Sequence, residues 1–249
     1  MPRYFCQKNI ENSLEESKIL QDFSSVKPLQ SKLFTTESPE ENRGVKSIRD
    51  WFIIHTYQNH KWQTMQSRFA PFRKHKTEHF LKAEHQFPIE NFVDTTSANS
   101  NKTEFAFCVR TNPVILFTNC FWISGNDKDE HSIYLKIQRS DKKPIPIAAA
   151  HTNYFPATTR VKTSGHFVVT ISPYGVFELF SSVNIPVILD YNQLVKWCSP
   201  DISDKERFQI CQASEDNNYT IHRSPFTEVI DKTEKAYKNL DLLHYGPLF

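Results

Sequence analysis

The chain has 249 residues, 39% of them hydrophobic and 13% aromatic, with 20 Phe against 2 Met; that is enough apolar mass for a sizeable core and too much for a disordered segment. Its formal net charge is only +2, so any affinity for nucleic acid has to come from a local patch and not from a global field. The five cysteines (Cys6, Cys108, Cys120, Cys198, Cys211) are odd in number and form no C-x-x-C pair, which excludes a zinc ribbon and a disulfide framework. The opening MPRYFCQKNIENS turns polar too early for a signal peptide, and no apolar run approaches the ~20 residues of a spanning helix, so a soluble, cytoplasmic protein is expected.

In chain order, the first pattern is SLEESKILQDF (13–23), a helix with Ser13 as N-cap, Glu16 at the capping-box offset and an Ile19, Leu20, Phe23 stripe. TTESPEENRG (35–44) reads as an exposed loop. Short runs rich in β-branched and aromatic residues then predict strands: WFIIHTY (51–57), PVILFTNCFWIS (113–124), SIYLKIQR (132–139), PIPIAAAH (144–151), HFVVTIS (166–172) and IPVIL (185–189). Helical patterns are few: TEHFLKAEH (77–85), YGVFELFSS (174–182) and YNQLVKWC (191–198), the last with Asp190 at its N-cap, Gln193 in the capping-box position and Pro200 beyond its end. Strands outnumber helices without alternating with them. The prediction is an α+β fold, one domain over residues 1–249, with a strongly bent, barrel-like, mainly antiparallel sheet and a few flanking helices.

Taken in order, these segments resemble the SOS-response-associated peptidase (SRAP) family. The ungapped stretch 166–198 is similar to the family's Phe-Thr-Ile-Leu-Thr-Thr strand, helix, His-Asp-Arg-Met-Pro-Val-Ile-Leu run and Trp-containing helix. PVILFTNCFWIS looks like Arg-Cys-Leu-Ile-Pro-Ala-Asp-Gly-Phe-Tyr-Glu-Trp, and IPIAAAH (145–151) like Phe-Ala-Gly-Leu-Trp. NFVDTT (91–96) sits where the family has Asn-Ala-Arg-x-Glu-Thr, and SRFAPFR (67–73) where it has Trp-Gly-Leu-Ile-Pro-x-Trp. MPRYF lies over Met-Cys-Gly-Arg-Phe, and IHRSPFTEVI (221–230) over Pro-Val-Ser-x-x-Val-Asn. The ordered set carries the resemblance, not any one motif.

The resemblance implies binding of single-stranded DNA with abasic sites, in a DNA-damage (SOS) setting. The family captures the sugar aldehyde on an N-terminal cysteine as a thiazolidine, with Asn, Glu and His around the site. On this chain the nucleophile position is Pro2, and the Cys6 amine lies inside a peptide bond. Asn91 matches the Asn, and Val93 replaces the following Arg. The Glu position is Ile123, or Trp122 if the register slips by one, and the His position is Ser182, which has no pKa near neutrality. Both tryptophans of the DNA-facing segment are replaced, by Ser67 and Arg73. The expectation is a fold kept for binding, with the crosslinking and peptidase chemistry lost. Two alternatives stand beside it. One is a protein-interaction scaffold. The other is a Pro2 amine (pKa ~8) that forms a Schiff base with abasic DNA.

The densest positive cluster is FRKHK (72–76). A DNA-contacting set of Arg3, Arg68, Arg73, Lys74, Lys76 and Arg160, with Phe69 and Phe72 stacking on bases, is expected there; Lys162 and Arg223 extend it. The histidines at 55, 60, 75, 79, 85 and 151 make no His-Glu-x-x-His order, and no metal or cofactor is expected. His151 is read as a packed core or pocket histidine. Cys108, Cys120 and Cys198 fall in apolar runs and read as buried small hydrophobes.

Overall fold

The computed structural model describes residues 4–16, 19, 45–47, 51–69, 86–88, 100–126, 132–154, 163–179, 184–212 and 218–224. The first elements are β1 (Tyr4–Cys6), α1 (Ile10–Glu16), β2 (Val45–Ser47), β3 (Phe52–Gln58), β4 (Lys61–Phe69), β5 (Gln86–Pro88), α2 (Ser100–Thr111), β6 (Pro113–Thr118) and β7 (Cys120–Asn126). They are followed by β8 (Ser132–Arg139), β9 (Ile145–Tyr154), β10 (Thr163–Ile171), a 3-10 turn Gly175–Leu179 and β11 (Ile185–Pro186). A second 3-10 turn, Tyr191–Gln193, runs into α3 (Leu194–Cys198), before α4 (Asp204–Gln212) and β12 (Tyr219–Ser224).

The strands form two sheets. One has the order β12-β8-β7-β1-β2; the other has the order β11-β10-β4-β3-β6-β9, with β5 also paired to β10. Because β10 pairs both β4 and β9, the second sheet closes on itself through β10, β4, β3, β6 and β9. Closure gives the strongly bent sheet predicted for this α+β chain, and it leaves those five strands without a free edge. The pairing is mostly antiparallel, with β10–β4 and β10–β5 parallel. The β3–β4 hairpin turns on Asn59 (φ 51) and His60 (φ 60), the two positive dihedrals of a type I′ turn, whose twist matches the flanking strands.

Strand β6, PVILFT, is buried along its whole length because both of its faces are covered. Ile115 and Phe117 join the core roofed by the helices, with Ile10, Leu14, Phe105, Val109, Leu194, Trp197 and Ile210. Val114 and Leu116 join the core between the two sheets, with Phe5, Phe121, Ile123, Leu135 and Ile147.

Several local signals resolve differently from what the sequence predicts. Ser13 lies inside α1 and bonds back to Asn9 O at 3.1 Å, because Asn9 at φ 49 starts the helix earlier. Asp190 makes no capping bond from its side chain. The working capping box is Ser203–Glu206: the Ser203 N–H donates to Glu206 Oε2 at 3.0 Å, and the Glu206 N–H donates to Ser203 Oγ at 3.3 Å. Within the predicted helix 174–182 the described residues form the short 3-10 turn Gly175–Leu179, and the 113–124 run splits at Asn119 into β6 and β7. The predicted helix 77–85 and loop 35–44 lie outside the described residues.

Buried polar groups act as stitches. Gln7 Nε2 donates to Ile53 O (2.9 Å) and Phe117 O (2.8 Å) while its Oε1 accepts from Ile53 N (3.0 Å), bridging β3 and β6. Arg207, fully buried, donates to the carbonyls of Trp197 (2.8 Å), Ser199 (2.5 Å) and Arg110 (3.3 Å), which satisfies the C-terminal end of α3. Arg110 in turn grips Asp204 at 2.6 Å, tying α2 to α4. The Trp197 indole donates to Val114 O at 3.0 Å. No described helix is long and apolar enough to cross a membrane.

Candidate functional site

The resemblance to the SRAP family would place a site around the chain's first residues, and the described structure begins with β1. That strand sits between β2 and β7, with Tyr4 opposite Trp122, Phe5 opposite Phe121 and Cys6 opposite Cys120. Thr118 clamps it: the Thr118 hydroxyl accepts from the Cys6 N–H at 3.0 Å and reaches the carbonyl oxygens of Cys6 (2.8 Å) and Cys120 (2.6 Å). Ile123, at the family's carboxylate position, is fully buried in the core between the sheets with Phe5, Phe121, Leu135 and Phe177. The residue expected at a degenerate site therefore belongs to a dry apolar core and presents nothing to a ligand. Pro2, Arg3, Phe72, Arg73, Lys74, Lys76, Asn91, Arg160 and Ser182 lie outside the described residues.

The segment that the resemblance implies to be DNA-facing begins in β4, where alternation sorts its residues. Phe69 points inward and is 3% exposed. It stacks on Phe5 (5.5 Å between centroids, 21°), meets Phe52 edge-on at 5.2 Å and lies 4.3 Å from the His166 ring. A ring held on all these sides is not available to stack on a base, so the expected role of Phe69 is corrected to core packing. Ser67, in the slot of a family tryptophan, is also fully buried, with its hydroxyl 3.0 Å from His166 Nδ1.

Arg68, between them, is exposed. Its guanidinium carbon lies 4.5 Å from the ring centroid of Trp51, and that indole is 42% exposed. Trp51 immediately precedes β3, so the antiparallel pairing of β3 with β4 sets the two side chains next to each other. An indole and a guanidinium held face to face in water make a π surface with a fixed positive charge, suited to a base and its phosphate. The sequence pattern points to Arg68 but not to Trp51, whose one signal is a large aromatic a single residue before a strand.

His55 and His151 serve packing. His55 is fully buried edge-on to Phe117 (5.1 Å), and burial pushes its imidazole down to about 3. His151 is half-buried with Nε2 3.1 Å from Ser164 Oγ, which agrees with the packed histidine expected there. Among the described residues no group of three or more His, Cys, Asp or Glu is placed to hold a metal ion.

The thiols are not equivalent. Cys108, Cys120, Cys198 and Cys211 are buried and Cys6 is half-buried. A hydrogen bond from the Cys120 thiol holds the Cys6 thiol down against the opposing effect of burial. The Lys8 backbone N–H and the charges of Lys136 and Lys8 help, and the Cys6 thiol falls to about 6. Cys120, on the donating side and buried, is pushed up.

No family model and no curated protein matches the chain. Solved structures do match it in fold. A protein from Bordetella bronchiseptica superposes with a TM-score of 0.58 at 11% identity, covering 91% of this chain and 100% of that one. A protein from Bacteroides thetaiotaomicron gives 0.61 at 10% identity, covering 90% and 92%. A phage-related protein from B. bronchiseptica gives 0.60 at 10%, covering 89% and 93%. At such identities the likeness establishes the α+β architecture and no activity.

Proposed function

We propose that this chain is a divergent SRAP-like protein of the DNA-damage response that binds single-stranded DNA without covalent chemistry. The observation that carries the reading is the exposed Trp51–Arg68 pair, standing where the chain enters the basic FRKHK segment. A stacking surface beside a run of cations is the arrangement that non-sequence-specific single-strand binders use. Ile123 supports the non-covalent half, since an apolar side chain in a sealed core supplies no proton to a reacting aldehyde.

The test is fluorescence anisotropy on intact and abasic single-stranded oligonucleotides over a salt series. Both should bind with affinity that falls steeply as salt rises, and borohydride should trap no conjugate on the abasic strand. Absence of salt-sensitive binding would reduce the fold to an interaction scaffold. A conjugate that depends on Pro2 would replace this reading with amine chemistry.

A further inference from the structure

Three of the cysteines are inert by placement. Cys108, Cys198 and Cys211 are packed in the helix-roofed core, and burial pushes the Cys198 thiol up to about 12. Cys6 and Cys120 differ, because they are direct cross-strand partners on β1 and β7. Directly opposed residues of an antiparallel pair have Cα atoms about 4.5–5.5 Å apart, with side chains on the same face; a disulfide spans roughly 4.4–6.8 Å. The Thr118 hydroxyl ties both backbones at 2.8 and 2.6 Å, which keeps the register from slipping. The charges of Lys136 and Lys8 favour a thiolate on Cys6. Accessibility divides the roles: Cys6 is reachable from solvent and Cys120 is not.

We propose that Cys6 and Cys120 are an oxidisable dithiol, in which Cys6 reacts with a hydroperoxide and Cys120 resolves the product to an intramolecular disulfide. The Cys6 thiolate attacks the peroxide oxygen, the O–O bond breaks, and hydroxide or alkoxide leaves. The sulfenic acid formed on Cys6 is then attacked by Cys120, with loss of water. For hydrogen peroxide, two thiols and one peroxide give one disulfide and two waters; sulfur supplies the two electrons. The bridge pins β1 to β7 across the whole of residues 6–120.

Reduced full-length protein treated with stoichiometric hydrogen peroxide should lose two hydrogen masses and yield a linked Cys6–Cys120 peptide on non-reducing mapping. Its Tm should rise by about 5–10 °C and return on reduction. Cys120→Ser should leave Cys6 as a sulfenic acid that dimedone captures, and Cys6→Ser should abolish both products. Recovery of both cysteines as free thiols from treated wild-type protein would overturn the proposal. So would oxidation of Cys6 past the sulfenic acid with no bridge, or a bridge between other cysteines.

Discussion

Arg207 and Arg68 are the same residue type under opposite constraints. Arg207 is fully buried, and both of its terminal nitrogens are spent on the carbonyls that end α3 and α2. Arg68 lies exposed at the end of a strand, against the indole of Trp51. The first arginine is committed to the fold, and the second stands at the surface beside an aromatic ring. The same division separates Ile123 from Trp51: the position where the resemblance predicts chemistry is core in one sheet, whereas Trp51 is exposed beside a strand of the other.

The sharpest way to break this contrast is at Arg207. Arg207→Ala leaves buried carbonyls unpaired and opens a cavity under Trp197, which should destabilise the protein by roughly 3–5 kcal/mol in urea unfolding. A loss below about 1 kcal/mol would place Arg207 with the surface arginines.

His55 tests the interior in another way. Its folded-state pKa, near 3, lies below the unfolded value of 6.5, so the unfolded chain takes up the proton first. The stability contributed by keeping His55 neutral is present above pH 6.5 and is lost as pH falls toward 3, up to roughly 4–5 kcal/mol. Urea midpoints of wild type and His55→Leu should separate as pH falls through that window, the wild type dropping while the variant shows the flatter profile. Parallel profiles would mean that His55 takes up its proton as readily in the folded state as in the unfolded one.

The surface pair should behave in the opposite sense. Trp51→Ala should change stability by no more than about 0.5 kcal/mol, yet cost about 1–3 kcal/mol in binding of a single strand. The control is Phe69→Ala. It should lower stability by roughly 3–5 kcal/mol, as expected for an aromatic buried against Phe5, Phe52 and His166.

The strands were readable because β-branched and aromatic runs such as PVILFT and SIYLKIQR can only be buried. β4 was not readable, since KWQTMQSRF hides its period in Gln, Thr and Ser. Capping signals misled for a physical reason: S-x-x-E occurs at both 13–16 and 203–206, and only the second lies where the backbone begins a helix. Gln7 and Arg207 could not have been foreseen, because their roles depend on partners as far as 110 positions away. The same holds for the site. That Arg68 faces out and Phe69 in is set by strand alternation. That Trp51 lies against Arg68 required the register of β3 with β4.

Binding of a single-stranded oligonucleotide by wild type and by Arg68→Glu, over a salt titration at constant pH, tests the central claim most directly. Wild type should bind with a steep inverse salt dependence, and the variant should bind more weakly with a slope shallower by about one. Equal affinities and equal slopes for the two proteins, or no binding by either, would contradict it.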